Sequence, residues 1–176
     1  MLNTYLPPDI RALQAERVPA KFSSRFSAKS KEYEYLIYNG AELPVHLRDQ
    51  VWVIKPKLDI SAMKKAAKSL IGKHDFSSFC ASGSNEKNFV RTVFGITIQN
   101  KTSQTPQGEK LRFISIRVRG NAFLYKMIRN IVGTLAQAGL GKLPPSEMEN
   151  IVKARDRRRA GKCAPPQGLY LIRVNY

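Results

Sequence analysis

Between positions 117 and 129 the chain concentrates basic and aromatic side chains: Arg117, Arg119, Phe123, Tyr125, Lys126 and Arg129. Guanidinium and ammonium groups hold phosphates or carboxylates, and flat rings stack on unpaired bases, so this mixture suits RNA. Core packing is the competing reading for the rings, and for Phe113 and Phe123 it is the stronger one. Carboxylates that could serve as acid, base or nucleophile are sparse. Asp49 and Asp75 fall in expected turns, Asp59 beside a helix start and Asp156 inside a basic run. None stands where a buried nucleophile belongs. Glycine-rich phosphate loops, G-x-S-x-G and H-E-x-x-H are absent. Cys80 and Cys163 lack C-x-x-C spacing, and His46 and His74 stand apart, so no metal site is expected. Two lone thiols fit a reducing compartment, with a disulfide left open.

The elements that must position these residues can be read from periodicity. Phe113, Ile114, Ile116 and Val118 interleave with Ser115, Arg117 and Arg119, as in a half-buried strand. Gly120-Asn121 breaks it. From Ala122 the period becomes helical, and the helix is expected to run over 122–138, ending near Gly139 and Gly141. Leu124, Met127, Ile128, Ile131 and Leu135 share one face; Lys126, Arg129, Asn130, Gly133 and Gln137 share the other. Two readings of that second face stand open: a surface that meets a phosphate or carboxylate, or an ordinary solvated face.

The rest of the chain mixes strands and helices. Residues 1–20 read as a loop entering a short strand. A strand lies within 22–39, where Tyr33, Tyr35 and Ile37 alternate with Glu34, Leu36 and Tyr38, and Gly40 ends it. Trp52–Ile54 is a short extended piece. The spacing predicts a helix over 60–72 with Met63, Ala66, Ala67, Leu70 and Ile71 inward, capped by Asp59 or Ser61. His74–Phe79 reads as a turn with two aromatic anchors, and 81–90 as a polar loop. Strands 91–99 and 111–119 form a hairpin with a long tip at 101–110. A short helix opens at Pro144-Pro145-Ser146 and continues to about Arg155. The densest basic run follows, and a last strand starts after Gln167-Gly168. The expected class is α+β, a mainly antiparallel sheet with helices packed on one face.

Length and charge narrow the function classes. With 176 residues and 43% hydrophobic content the chain folds around a real core and is not a disordered tail. Lys plus Arg number 30 against 13 Asp plus Glu, a formal charge of +17. That exceeds the magnitude of about 2–8 that solubility asks of a small domain and favours a polyanion, with nucleic acid first and an anionic membrane surface second. No run approaches the roughly 18 uncharged apolar residues of a membrane span. A soluble, cytoplasmic protein without a membrane partner is expected.

Five blocks, in order, resemble the tRNA pseudouridine synthase A family: L-N-T-Y-L-P-P-D-I at 2–10, F-S-A-K-S-K-E-Y-E-Y-L-I-Y-N at 26–39, H-D-F-S-S-F at 74–79, A-F-L-Y-K-M-I-R-N-I-V-G-T-L at 122–135 and P-P-Q-G-L-Y-L at 165–171. The resemblance implies conversion of uridine to pseudouridine in the tRNA anticodon stem-loop, without a cofactor. It implies that an aspartate attacks the nucleotide and that the base detaches, rotates and rejoins through carbon. Tyr33 matches the family's active-site tyrosine, and Arg129 the arginine that pairs with the aspartate and keeps it ionised. Gly168 and Leu169 match the pair that closes the pocket. Lys87 and Arg91 match a basic segment ahead of the hairpin. Arg117, Arg119, Lys126 and the run holding Arg155, Arg157, Arg158, Arg159 and Lys162 are expected to contact phosphates.

One departure matters. The family's aspartate lies in Arg-Thr-Asp-Ala-Gly, and this sequence holds no such motif; its one Arg-Thr pair, Arg91-Thr92, precedes Val93. The chain therefore resembles the C-terminal half of the enzyme, expected to bind tRNA without turning it over. An exposed sheet edge and self-association, in the family's homodimer or otherwise, are expected with it. Two other classes compete: a small basic RNA-structural protein of ribosomal type, which explains the charge but not the ordered blocks, and a tRNA-binding regulator that has lost catalysis.

Overall fold

The structure is a computed structural model that describes residues 2–104, 108 and 110–176. Six strands form one sheet: β1 (Ser30–Asn39), β2 (Trp52–Ile54), β3 (Gly72–Asp75), β4 (Val90–Gln104), β5 (Lys110–Gly120) and β6 (Leu169–Asn175). The order is β2-β1-β5-β4-β3, with β6 also on β1. β1 is thus central. It pairs antiparallel with β5 along one edge; its other edge takes β6 antiparallel over Ser30–Tyr35 and β2 in parallel over Ile37–Asn39. The fold is α+β, as expected.

Alternation on β1 decides which face carries the core. Tyr35 and Ile37 are fully buried with Ile116 and Val118 of β5 and Ile98 of β4. Helices α1 (Ile60–Lys68), α2 (Met127–Gly139) and α3 (Glu147–Ala154) contribute Met63, Ile131, Leu135, Met148 and Ile151 to that same core. The opposite face is covered only in part. There Leu43, Leu47 and Val51 pack on Leu36, Tyr38, Leu111 and Phe113.

Local chemistry fixes the helix ends. Asp59 caps α1 by accepting from the amides of Ser61 and Ala62, and its own amide donates to the Gly139 carbonyl at the end of α2. The two helices are so close there that a Cβ on Gly139 would lie 2.9 Å from Met63. α1 stops at Lys68, sooner than its pattern predicts, and Ile71 is 44% exposed, outside the core. His74 and Asp75 are not in a turn: Gly72–Asp75 pairs with Val90–Val93, and only Ser77–Phe79 turns. The β4–β5 hairpin extends beyond the expected strands to the pair Gln104 and Lys110; the tip residues Thr105, Pro106, Gln107 and Glu109 lie outside the described residues. Residues 2–20 hold a 3-10 turn at Leu2–Thr4 and no strand.

α2 departs most from its sequence pattern. It begins at Met127, not Ala122. The Asn121 side chain accepts from the amides of Thr92 and Ala122 and holds 121–126 as a loop, and Lys126 closes it in the left-handed region at φ 56°. Leu124 still reaches the core from that loop. The supposed polar face is not free either. Asn130 and Gly133 are buried, because residues 157–164 lie across them. A Cβ on Gly133 would sit 1.7 Å from the Lys162 carbonyl oxygen.

Backbone rather than side chain opposes Gly133, so a substituent there has nowhere to go. Gly133→Ala is expected to lower stability by about 2–3 kcal/mol in urea unfolding, despite alanine's better helix propensity. Wild-type stability in that variant would show that the segment does not rest on the helix.

Candidate active site

The helix-covered face of the sheet opens at one end of β1. Ile37 and Tyr35 are buried, Tyr33 is half-buried, and Leu171, opposite Tyr33 on β6, is 53% exposed. The Tyr33 ring meets Phe123 edge to face, with centroids 5.4 Å apart. Burial raises the Tyr33 phenol above its ordinary pKa, so it stays protonated at neutral pH.

Arg129, in the first turn of α2, lies beside Tyr35. Its Nε donates to the Ala164 carbonyl at 2.6 Å, and the Ala164 amide donates back to the Arg129 carbonyl at 3.1 Å. Among the described residues its terminal nitrogens have no hydrogen-bond or ion-pair partner. Tyr35 lies alongside: its hydroxyl donates to the Pro165 carbonyl at 2.6 Å. Burial pushes the Tyr35 phenol far up, and the charge of Arg129 offsets only part of that. Gly168 and Leu169 complete the corner. Leu169 pairs with Tyr35, and a Cβ on Gly168 would meet the Tyr35 ring and the Leu36 carbonyl at 2.8 Å. Arg129, Gly168 and Leu169 therefore gather around Tyr35, and Tyr33 lies two residues along β1, packed on Phe123. Tyr35, Ala164 and Pro165, which build this corner, were not singled out from sequence; the Tyr-Glu-Tyr spacing, which puts both tyrosines on one face, was the available signal.

The basic residues divide among several places. Arg117 and Arg119 lie on the opposite face of the sheet, in register with Glu34 and Glu32. Arg117 donates to Glu34 at 3.2 Å, and the Arg119 guanidinium sits 5.7 Å from the Phe94 ring centre. Arg91 is largely buried. It binds Glu86 and the carbonyls of Asn88 and Val90, which ties the 81–89 loop to β4, while Lys87 on that loop is exposed. In the basic run Arg155 pairs with Asp75, Arg158 with Asp156 and Arg159 with Glu147. Arg157 donates to the Asn130 side chain and the Ala160 carbonyl. Lys126 lies over the exposed ring of Tyr125, 5.0 Å from its centre, and Lys162 is exposed. Cys80 and Cys163 are free thiols, and the described residues hold no His, Cys, Asp and Glu cluster able to bind a metal.

Glu34 is the buried charge of the opposite face, 4% exposed. Burial alone would raise its pKa. The Ser115 hydroxyl at 2.6 Å, Arg117 and the Lys101 ammonium at 3.4 Å outweigh that and hold the carboxyl below the ordinary glutamate range.

Arg129, with free terminal nitrogens beside Tyr35, lies in an α+β fold of charge +17 that suits a polyanionic partner. Comparison gives the family. The family model described as tRNA pseudouridine synthase matches residues 66–176, and this chain belongs to that family. The proteins named tRNA pseudouridine synthase A of Thermoanaerobacter pseudethanolicus, Halalkalibacterium halodurans and Bacillus subtilis are 46%, 43% and 41% identical over 99% of this chain. The matches cover 68%, 63% and 67% of those proteins.

Because the Glu34 carboxyl is depressed in the folded state, the unfolded chain takes up that proton first. Its contribution is complete above the ordinary glutamate range, near 4.5, and is lost as pH falls through the lower folded value. Glu34→Gln is expected to cost about 1–3 kcal/mol at neutral pH and to flatten the acid limb of the stability curve. An acid limb identical to wild type would place the titrating group elsewhere.

Proposed function

We propose that this chain serves the isomerisation of uridine to pseudouridine in the anticodon stem-loop of tRNA, and that it forms one wall of the active site. The nucleophilic aspartate is assigned to a segment outside these 176 residues. The observation that carries the reading is Arg129, whose Nε is tied to Ala164 while its terminal nitrogens remain available beside Tyr35. A guanidinium held in this way accepts a carboxylate through two parallel hydrogen bonds, keeps it ionised and orients it for attack.

In the reaction the bond from ribose to N1 breaks and a bond to C5 forms. The proton on C5 leaves to solvent and N1 gains one, so no redox partner is needed. The target base must leave its stack to reach the corner, and Tyr33 and Phe123 offer it ring surfaces there. Gly168 and Leu169 bound the pocket. Phosphate contacts are assigned to Lys126, Lys162, Lys87, Arg117, Arg119, Arg155, Arg158 and Arg159. The whole protein is proposed to be a cytosolic homodimer. Leu171 and Ile172, 53% and 44% exposed on β6, favour a covered edge.

Tritium release from tRNA labelled at uridine C5, measured beside tRNA binding, tests the assignment. The 176 residues alone are expected to bind tRNA in a salt-dependent way and to release no tritium. Release by them alone would overturn the placement of the nucleophile. Failure to bind tRNA at low salt would overturn the RNA reading.

A further inference from the structure

The four arginines between 155 and 159 look equivalent in sequence, yet their surroundings differ. Arg155, Arg158 and Arg159 lie at the surface and pair with surface carboxylates. Arg157 turns inward. Its guanidinium donates to the Asn130 side-chain oxygen at 2.9 Å and to the Ala160 carbonyl at 3.2 Å. Asn130 is fully buried, and its amide nitrogen donates to the Phe79 carbonyl at 2.7 Å. Arg157 therefore supplies the donor for a buried oxygen that has no other recorded partner among the described residues.

The segment that follows returns to the same helix turn. The Gly161 amide donates to the Thr134 hydroxyl at 2.9 Å, and the Lys162 carbonyl rests against Gly133. Ala164 then makes its two bonds to Arg129. Residues 157–164 thus form a loop whose ends land on Asn130 and Arg129, neighbours in sequence. Arg157 closes one end and Arg129 the other.

We infer that Arg157 is a positioning residue for Arg129 and not a contact for RNA phosphates. It fixes the loop whose Ala164 carbonyl sets the direction of the Arg129 guanidinium. The inference rests on the proposed role of Arg129 only for its consequence in catalysis; the mechanical link is separate.

The test compares Arg157→Ala, Arg157→Lys and Arg158→Ala in the 176-residue chain. The first readout is hydrogen exchange at the Arg129 Nε–H, followed by nitrogen–proton NMR and assigned by its loss in Arg129→Lys. The second is the salt dependence of tRNA binding. Arg157→Ala is expected to speed exchange at Arg129 by about tenfold or more through local opening, and Arg158→Ala to leave it unchanged. Lysine at 157 can reach one of the two acceptors but not both, so it should restore part of the protection. The salt slope is expected to fall by roughly 0.7–0.9 in Arg158→Ala and to stay at the wild-type value in Arg157→Ala. Unchanged Arg129 exchange in Arg157→Ala, or a slope reduced as much as in Arg158→Ala, would overturn the inference. Should Arg157→Ala fail to fold, Arg157→Lys decides on the same two readouts. Loss of tRNA binding by the wild-type chain would sink the proposed function, and the exchange result would still decide the positioning role.

Discussion

The close passage of backbone over α2 at Gly133 is the constraint on which the candidate site around Tyr35 and Arg129 depends. A helix usually meets its neighbours through side chains, at interaxial distances of about 8–10 Å. Here the Lys162 carbonyl occupies the space a Cβ would need, and a Cβ on Gly161 would lie 2.9 Å from the Thr134 backbone. Packing this tight fixes the height of residues 160–164 above the helix. That height brings the Ala164 carbonyl within 2.6 Å of Arg129, and the next carbonyl, Pro165, within 2.6 Å of Tyr35. An extra methyl at 133 would lift the segment and release both bonds together. The glycine therefore sets the backbone on which the candidate site is built.

The two faces of the sheet solve different problems. On the helical face the core is mostly apolar, and its buried polar side chains, Ser78, Asn130 and Thr134, are each hydrogen-bonded to backbone. On the other face a charge is buried deliberately. Glu34 would be costly alone, but a hydroxyl, a guanidinium and an ammonium converge on it. Because Arg117 sits on β5 and Lys101 on β4, this one carboxylate joins three adjacent strands. Arg117 is thus spent on the fold as much as on any ligand, which its place in an alternating strand could not disclose.

Much of the fold was legible because its signals are local. Alternation in 113–119 and 33–38, the Asp59 cap and the hairpin follow from neighbours in sequence, and the ordered blocks carried the family. The misses were tertiary. Helical periodicity continued through Phe123 and Tyr125, but Asn121 bonds to Thr92, distant in sequence, and keeps that stretch a loop. The face of Asn130 and Gly133 looked solvated because nothing near them in sequence says that residues 157–164 cover it. His74 and Asp75 looked like a turn until β4 supplied a partner. Tyr33, Arg129, Gly168 and Leu169 are candidates that the resemblance supplied. Tyr35 and Ala164 act through geometry that a motif does not print.

The basic run carries the same lesson to function. Counted in sequence, it is the densest positive charge in the chain. In the fold three of its arginines already face a carboxylate and the fourth a buried amide. A phosphate that binds there must compete with Asp75, Asp156 or Glu147, and exposed pairs of this kind hold their partners only weakly, by about 0–1 kcal/mol. Lys126 and Lys162 are exposed and have no carboxylate within ion-pair distance among the described residues. Lys64, Lys68 and Arg112 are exposed and free of an ion pair in the same way, so among the described residues the unpaired positive charge is spread over the surface, and a phosphate meets the least competition away from the basic run.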